Sequence, residues 1–311
     1  MEPKKLFVER INALLGEESN IFFDYTKKLL KKIIRVNLLK ISRQDLIEKL
    51  KNKGWEIQNT AYRDALEIKS KLLPGQLGKA LEHHLGYYYI QELASMMPPL
   101  ILEPKAGEII LDCCAAPGSK TTQIAMMMKN QGTIIANDVK IDRLKALVSN
   151  LERCGVMNTI VTRMNALTIC KKLAKSGFFF DKILVDAPCS GEGTIRGDST
   201  ILKMWNINMI KRLSALQKKL ISSAIECLKP QGTLVYSTCT LTPEENESVI
   251  DFALKNFNVR VEKIKLPLKT RPGIVKWQGQ TFNEQVKNCH RIWPQDNNTE
   301  GFFIAKLRKI R

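Results

Sequence analysis

From residue 108 onward, short β-rich runs alternate with runs of helical periodicity. Strands that are joined through helices lie parallel in one sheet, so the alternation predicts βαβ units and an α/β fold with a mainly parallel sheet. The predicted strands are 108–114, 133–138, 159–164, 182–188, 233–239, 259–264 and 301–308. One predicted helix ends at residue 129, a second begins at residue 142, and two more span 208–228 and 243–257.

The first 75 residues have a different pattern, which predicts a smaller α+β unit. Helical segments at 8–15 and 22–32 precede an apolar strand at 33–37, and strands are expected at 55–57 and 65–68. Ser42 and Asp45 have capping-box spacing for a further helix, which Gly54 ends. Turn residues at 74–78 predict the boundary between a domain of residues 1–75 and a domain of residues 76–311.

The chain carries 49 Lys and Arg against 31 Asp and Glu, which gives a net charge of +18. The first 75 residues contribute +6 and the remainder +12, so both domains can contact a phosphate backbone. A polyanion is the expected partner. Charge alone does not distinguish DNA, RNA and an anionic membrane, and a solvated basic surface is the simpler alternative.

The chain has eight cysteines, but their spacing does not predict a metal site or a secreted disulfide framework. Only Cys113 and Cys114 lie close together, and there are three histidines, so we expect no metal. The spacing leaves open whether any of the cysteines form internal disulfides. No apolar run reaches the length of a membrane span, and the charged first residues do not resemble a signal peptide, so a cytoplasmic protein without membrane contact is expected.

In parallel sheets, ligands bind beyond the carboxyl ends of the strands. After the first strand, Pro117 and Gly118 form a turn of small residues that suits a nucleoside cofactor, although the turn is neither a GxGxxG fingerprint nor a P-loop. Asp138 follows Gly118 by 20 residues, a separation that suits hydrogen bonds to ribose; a helix N-cap is its alternative role. Asn165 ends the third strand, where its amide could contact adenine.

The fourth and fifth strands end in two thiols and an acid. Asp186 precedes Cys189 by three residues at a glycine-rich turn, and Cys239 ends the next strand. A buried cysteine is usually a small hydrophobic residue, which is how we interpret Cys154, Cys170 and Cys227. For the strand-end pair, a shared crevice is the favoured interpretation.

Two thiols and an acid beside a nucleoside cofactor suit methylation of a pyrimidine. Carbon 5 of a pyrimidine is a poor nucleophile, and addition of a thiolate at carbon 6 makes it enamine-like. An acid can favour the adduct by donating to N3, and a second base can remove the proton at carbon 5.

The motifs at these positions resemble those of the Nol1/Nop2/Sun RNA cytosine-5 methyltransferases. They are DCCAAPGSKTT at 112–122, ND at 137–138, DAPCSGEG at 186–193 and STCTLTPEENE at 237–247, together with RVNLLK at 35–40, GYYYIQELASM at 86–96 and RIWPQDNNTEGFF at 291–303. The resemblance covers nearly the whole chain. It implies an S-adenosylmethionine-dependent enzyme with a Rossmann-like catalytic domain and an RRM-like, RNA-binding amino-terminal domain.

The resemblance also implies roles for individual residues. Asp138 would bind ribose, Arg143 would also contact the cofactor, and Asn165, where relatives commonly carry Asp, would lie by adenine. Asp186 would border cofactor and target base. The cofactor loop would consist of Cys114, Ala115, Ala116, Pro117, Gly118, Ser119 and Lys120.

The same resemblance assigns the catalytic residues. It makes Cys239 the nucleophile and Cys189 the residue that assists release of the methylated base, while Lys120 would position the base with Asp186. Spacing alone does not reveal which thiol attacks.

For the substrate, the favoured hypothesis is tRNA, because the compact chain resembles the shorter, archaeal, tRNA-acting members; rRNA is the runner-up. A noncatalytic RNA-binding module, a dithiol redox enzyme and a DNA methyltransferase are less favoured. The target cytosine must be flipped out. Trp205, Phe282 and Trp293 could stack on RNA, although core packing is the favoured role for each. No room for an accessory domain such as a PUA domain is expected. Nothing in the sequence requires an oligomer, so a monomer is expected. Whether an accessory protein is needed to select the site is left open.

Overall fold

The computed structural model describes residues 3–311 and contains a large mixed sheet, a small sheet and a two-stranded hairpin. The strands are β1 Lys32–Val36, β2 Ile57–Asn59, β3 Ala65–Ile68, β4 Tyr88–Ile90, β5 Ile109–Asp112, β6 Thr133–Asn137, β7 Thr159–Thr162, β8 Phe180–Asp186, β9 Leu228–Thr238, β10 Val259–Val261, β11 Arg271–Pro272, β12 Lys276–Trp277, β13 Gln280–Thr281, β14 His290–Ile292 and β15 Phe302–Lys309. The helices are α1 Lys5–Leu15, α2 Ser19–Thr26, α3 Arg43–Asn52, α4 Gln76–Lys79, α5 Leu81–His84, α6 Met97–Leu102, α7 Ser119–Met127, α8 Ile141–Cys154, α9 Ala166–Lys175, α10 Thr200–Met204, α11 Ile207–Glu226, α12 Glu247–Asn256 and α13 Pro294–Asn297.

The large sheet is more mixed than the sequence predicts. Its strand order is β11-β14-β15-β9-β8-β5-β6-β7, with β10 on β15. The strands β5 to β9 pair in parallel, which confirms the βαβ prediction, whereas β10, β11, β14 and β15 add antiparallel pairs. The expectation of a mainly parallel sheet was therefore wrong for the C-terminal part, where β15 runs antiparallel between β9 and β10 and pairs with both.

The strand order places a crevice beside β5. The chain runs from β5 outward through β6 to β7 and then returns to the other side of β5 with β8. Such a reversal separates the loops that follow the two neighbouring strands and leaves a ligand crevice at their carboxyl ends. The loop after β5, the loop after β8 and the end of β9 all open on this edge.

The small sheet has the order β2-β3-β1-β4 and packs on α3. Ser42 caps α3 by accepting a hydrogen bond from the Asp45 N–H at 3.1 Å, as the sequence predicts, and Gly54 has a positive φ of 78° just after the helix. The strand β4 follows the turn at 74–78, so the small sheet includes chain on both sides of the predicted boundary. The division at residue 75 stays a prediction.

Arg35 links the small sheet to the large one. Its guanidinium is buried, donates to the carbonyl oxygen of Ser119 at 2.6 Å and to the hydroxyl of Thr122 at 2.7 Å, and also donates to the side chain of Gln91. Burial lowers the pKa of Arg35 to about 10. A side chain of β1 thus holds the first turn of α7, next to the loop that follows β5.

The helices α1 and α2 pack against the catalytic domain. Phe7 and Phe22 share an apolar cluster with Trp205 and Trp293, and the Phe7 and Trp205 rings meet edge to face at 5.5 Å. The predicted helix at 22–32 ends at Thr26, because the exposed lysines after that residue bring no apolar face to bury. Trp205, Trp293 and Phe282 are all buried, so core packing was the correct interpretation.

All eight cysteines are free thiols, so the structure has no internal disulfide. Within residues 3–311, no three His, Cys, Asp or Glu side chains are grouped as metal ligands. No helix of the same residues combines the length and the apolar character that crossing a bilayer requires.

Candidate active site

The loop after β5 has the backbone of a ligand-binding turn. Gly118 adopts a φ of 105°, which glycine tolerates, and a Cβ there would lie 2.9 Å from the Leu147 side chain. The amide of Ala115 donates to the Asn137 carbonyl at 2.8 Å and thereby fixes the loop against the end of β6. Because α7 begins at Ser119, its free N–H groups lie at the same edge of the sheet.

Asp138 lies beside this loop and does not cap the next helix. Its buried carboxylate accepts a hydrogen bond from the Ala116 amide at 3.3 Å and forms an ion pair with Arg143 at 3.1 Å. Arg143 also donates to the Ala116 carbonyl oxygen. The helix α8 begins only at Ile141, so the alternative role as an N-cap is wrong.

Asn165 lies at the exposed N-terminus of α9. Its amide oxygen accepts a hydrogen bond from the Leu167 N–H at 2.9 Å, which caps the helix. The Asn165 side chain thus already has a structural role, and contact with adenine stays a prediction.

Asp112 is a site candidate that the sequence reasoning missed. It ends β5, its Oδ2 atom accepts from the Thr121 hydroxyl at 2.7 Å, and its Oδ1 atom is buried without a hydrogen-bond partner in residues 3–311. Burial raises the pKa of Asp112 to about 7. The signal was an acidic residue at a strand end, the same signal that indicated Asp138.

The residues around the loop fit S-adenosylmethionine. The free oxygen of Asp112 can accept from a ligand ammonium, and Asp138 ends the neighbouring strand at the distance along the chain expected for a ribose contact. The loop between them is built of small residues whose backbone a ligand can approach.

Lys120 and Asp186 form an ion pair at the carboxyl edge of the sheet. The Lys120 Nζ atom lies 2.7 Å from Asp186 Oδ2 and 3.2 Å from the Ser95 hydroxyl, and Ser237 donates to Asp186 Oδ1 at 2.8 Å. Burial disfavours the Lys120 charge, but Asp186 outweighs it, so the pKa of Lys120 is raised. Asp186 accepts hydrogen bonds from both Lys120 and Ser237, so Lys120 is the donor in the Lys120–Asp186 pair.

The structure brings the two strand-end thiols together, since the Sγ atoms of Cys189 and Cys239 lie 3.2 Å apart. The neighbouring Cys239 sulfur, and then burial, raise the pKa of the Cys189 thiol well above its ordinary value. With Lys120 and Asp186, the edge of the sheet holds two sulfurs, one ammonium and one carboxylate.

Comparison with known families accounts for both domains. The family model described as 16S rRNA methyltransferase RsmB/F matches residues 99–308. The model described as the N-terminal domain of 16S rRNA methyltransferase RsmF matches residues 3–93.

Individual relatives match over nearly the whole chain. The tRNA (cytosine(49)-C(5))-methyltransferase of Pyrococcus abyssi is 43% identical, covering 99% of this chain and 96% of its own. The ribosomal RNA small subunit methyltransferase F of Vibrio parahaemolyticus is 38% identical over 97% of this chain, but the chain spans only 62% of that relative.

Solved structures agree with the fold. A methyltransferase homolog protein from Pyrococcus horikoshii superposes with a TM-score of 0.87 at 40% identity, covering 98% of this chain and 95% of that one. NSun6 from the same organism, crystallised with SFG, has a TM-score of 0.85 at 28% identity, covering 99% and 98%. The chain therefore belongs to the NOL1/NOP2/Sun family of S-adenosylmethionine-dependent RNA cytosine-5 methyltransferases.

Proposed function

We propose that the protein methylates carbon 5 of a cytosine in tRNA through a covalent bond between Cys239 and carbon 6. The observation that carries the choice of tRNA is the 43% identity to the tRNA methyltransferase of P. abyssi over 96% of its length. The net charge of +18 suits a polyanionic substrate. The name of that relative makes cytosine 49 the first position to test.

Cys239 starts the reaction as the nucleophile. Its thiolate adds to carbon 6, and the electron pair of the C5–C6 double bond makes carbon 5 nucleophilic. Lys120 donates to the base as negative charge develops there, and Asp186 holds Lys120 and accepts from the exocyclic amino group. When bound, S-adenosylmethionine supplies the electrophilic methyl group.

Cys189 completes the reaction as a base. Once the Cys239 sulfur is bonded to carbon 6, it no longer raises the pKa of the neighbouring Cys189 thiol. The Cys189 thiol gives its own proton to water, and the resulting thiolate takes the proton from methylated carbon 5. The C–H electrons restore the C5–C6 double bond, and the Cys239 sulfur leaves with the electrons of its bond to carbon 6.

Residues of the loop after β5 hold the cofactor in this proposal. Residues 114–120 surround it, Asp138 and Arg143 bind the ribose side, and Asp112 accepts from its ammonium. Asn165 lies at the adenine end. Since all of these residues lie in one chain, we also propose that the enzyme acts as a monomer, in the cytoplasm where it meets its RNA.

The test incubates the purified protein with methyl-labelled S-adenosylmethionine and one of three RNAs, followed by nucleoside analysis. The RNAs are a tRNA transcript with cytosine 49, the same transcript with uridine 49, and small-subunit rRNA. We expect 5-methylcytosine only in the first. Methylation of rRNA alone would favour the second candidate, for which the match of both domains to rRNA methyltransferase models is the supporting observation. No 5-methylcytosine in any of these RNAs would overturn the proposal.

A further inference from the structure

Two adjacent residues beyond Cys239 each hold one of the two thiol-bearing loops. Glu245 and Asn246 lie between β9 and α12, and both side chains are completely buried. Buried polar side chains of this kind are retained where their hydrogen bonds fix a neighbouring segment.

Asn246 holds the chain on both sides of Cys239. The Thr238 hydroxyl donates to the Asn246 Oδ1 atom at 2.6 Å, and the Asn246 Nδ2 atom donates to the Thr240 carbonyl oxygen at 3.0 Å. The residues immediately before and after the proposed nucleophile are thus bound to one amide group.

Glu245 holds the chain around Cys189 together with Gln217 of α11. The Ser190 N–H donates to Glu245 Oε2 at 3.0 Å, and Gln217 Nε2 donates both to Glu245 Oε2 and to the Pro188 carbonyl oxygen, each at 2.8 Å. Here too the residues before and after the cysteine are both bound. The two loops are joined by the Ser190 and Thr240 hydroxyls, which lie 2.6 Å apart.

We propose that Asn246 and the Glu245–Gln217 pair are positioning residues, each serving a different step of methyl transfer. Asn246 orients Cys239 for attack on carbon 6, and the Glu245–Gln217 pair orients Cys189 for removal of the carbon 5 proton. The inference rests on the proposed function, since it uses the order of those two steps. Loss of Asn246 slows formation of the covalent adduct, whereas loss of Glu245 or Gln217 causes the adduct to accumulate.

A conservative variant separates positioning from charge. The Oε1 atoms of Glu245 and Gln217 are both buried without a hydrogen-bond partner in the described chain. In Glu245→Gln, the new amide oxygen still accepts from Ser190 and Gln217, and its NH2 group can donate to the free oxygen of Gln217. This variant therefore keeps the bonds around Cys189 while it removes the acid.

The experiment follows the enzyme–RNA adduct on denaturing gels with the cytosine 49 transcript, and cofactor binding and thermal melting report whether each variant is folded. Because small misplacements of reacting groups are costly, we expect Glu245→Ala and Gln217→Met to accumulate adduct and to turn over about tenfold to a hundredfold more slowly. Glu245→Gln should turn over within about threefold of the natural protein. Glu244→Gln is the matched control without adduct, since the Glu244 side chain bonds Arg10, Thr242 and Trp277 and none of the residues next to Cys189 or Cys239.

Asn246 is tested in a protein that already carries Cys189→Ala, where the adduct should be trapped. Addition of Asn246→Ala should slow the appearance of the adduct by about tenfold or more. An unchanged rate would overturn the role of Asn246.

The remaining outcomes are equally decisive. If Glu245→Ala does not fold, Gln217→Met decides. If Cys189→Ala traps an adduct but folded Glu245→Ala and Gln217→Met do not, the positioning role is overturned while the proposed function stands. If Glu245→Gln turns over as slowly as Glu245→Ala, the carboxylic acid itself is required and the positioning role is overturned. If Cys189→Ala traps no adduct and the natural protein forms no 5-methylcytosine, the proposed function fails and the inference with it.

Discussion

The Sγ atoms of Cys189 and Cys239 lie 3.2 Å apart although 50 positions separate the two residues in the chain. Parallel pairing of β8 and β9 explains the contact, because Asp186 and Ser237 are register partners and both cysteines follow within three residues. The proximity allows one sulfur to attack a base while the other reaches the same ring.

Replacement of Cys239 by alanine should abolish turnover and leave cofactor binding unchanged, because the variant lacks only the proposed nucleophile. Methyl incorporation into tRNA and calorimetric titration with the cofactor measure the two properties. Cys154→Ala, which removes a buried thiol away from the crevice, is the matched control. Substantial methylation by Cys239→Ala would assign the attack to another group.

Replacement of Cys189 by alanine should stop the reaction after methyl transfer, since the proton at carbon 5 would have no nearby base. We expect a slow-migrating protein–RNA band on a denaturing gel that contains one methyl group per RNA. Methylated RNA released at the normal rate would contradict this role.

Lys120→Met should lower turnover by about a hundredfold or more, because it removes a donor to the base and leaves the Asp186 carboxylate without its counter-ion. Steady-state methylation assays measure the effect. Lys229→Met is the control. It breaks an ion pair of 2.6 Å with Asp181, which lies near the start of β8, at the opposite end of that strand from Asp186. A similar loss in both variants would contradict a specific role for Lys120.

Asp112 should make the protein less stable as pH rises. Burial raises its pKa from 3.8 to about 7, so the folded state favours the protonated form. This contribution is fully present below the ordinary pKa and is lost as pH rises to the raised one. Urea unfolding between about pH 5 and pH 8 should show a smaller decline for Asp112→Asn than for the natural protein. Exposed Asp142→Asn should leave the decline unchanged, and an equally steep decline in Asp112→Asn would contradict the assignment.

Arg35→Met should lower the free energy of unfolding by about 3 kcal/mol, because several charged hydrogen bonds are lost in a buried place. Cofactor affinity should fall as well, since Arg35 holds the first turn of α7. Urea unfolding and calorimetric titration measure these effects, with exposed Lys32→Met on the same strand as control. Unchanged affinity would show that the two sheets are not coupled through this residue.

Much of the catalytic domain could be predicted from its sequence, because its buried strands and amphipathic helices carry strong local patterns. The expected proximity of Cys189 and Cys239 is observed, since adjacent parallel strands end at one edge and the two sulfurs lie 3.2 Å apart. The antiparallel strand β15 could be recognised as a strand, but its direction depends on pairing with β9, which no local pattern encodes.

The residues that support the thiols were harder to predict. Gln217 lies on α11, where one polar residue among many has no visible partner, and its bonds to Glu245 and Pro188 exist only in the folded chain. The buried ion pair of 2.6 Å between Arg291 and Glu247 was equally hard to predict, because 44 positions separate the two residues in the chain. Long-range polar pairs of this kind require the tertiary structure.

The packing of α1 and α2 on the catalytic domain has a consequence for exchanging parts between relatives. The chain contributes to the catalytic core with Phe7 and Phe22, leaves it to build the small sheet, and then returns. The small sheet is thus flanked in the sequence by two segments that pack against each other. A chimaera that grafts a foreign small sheet needs two splice junctions, one on each side of the sheet, because a single cut near residue 75 would also replace Phe7 and Phe22 of the shared apolar cluster.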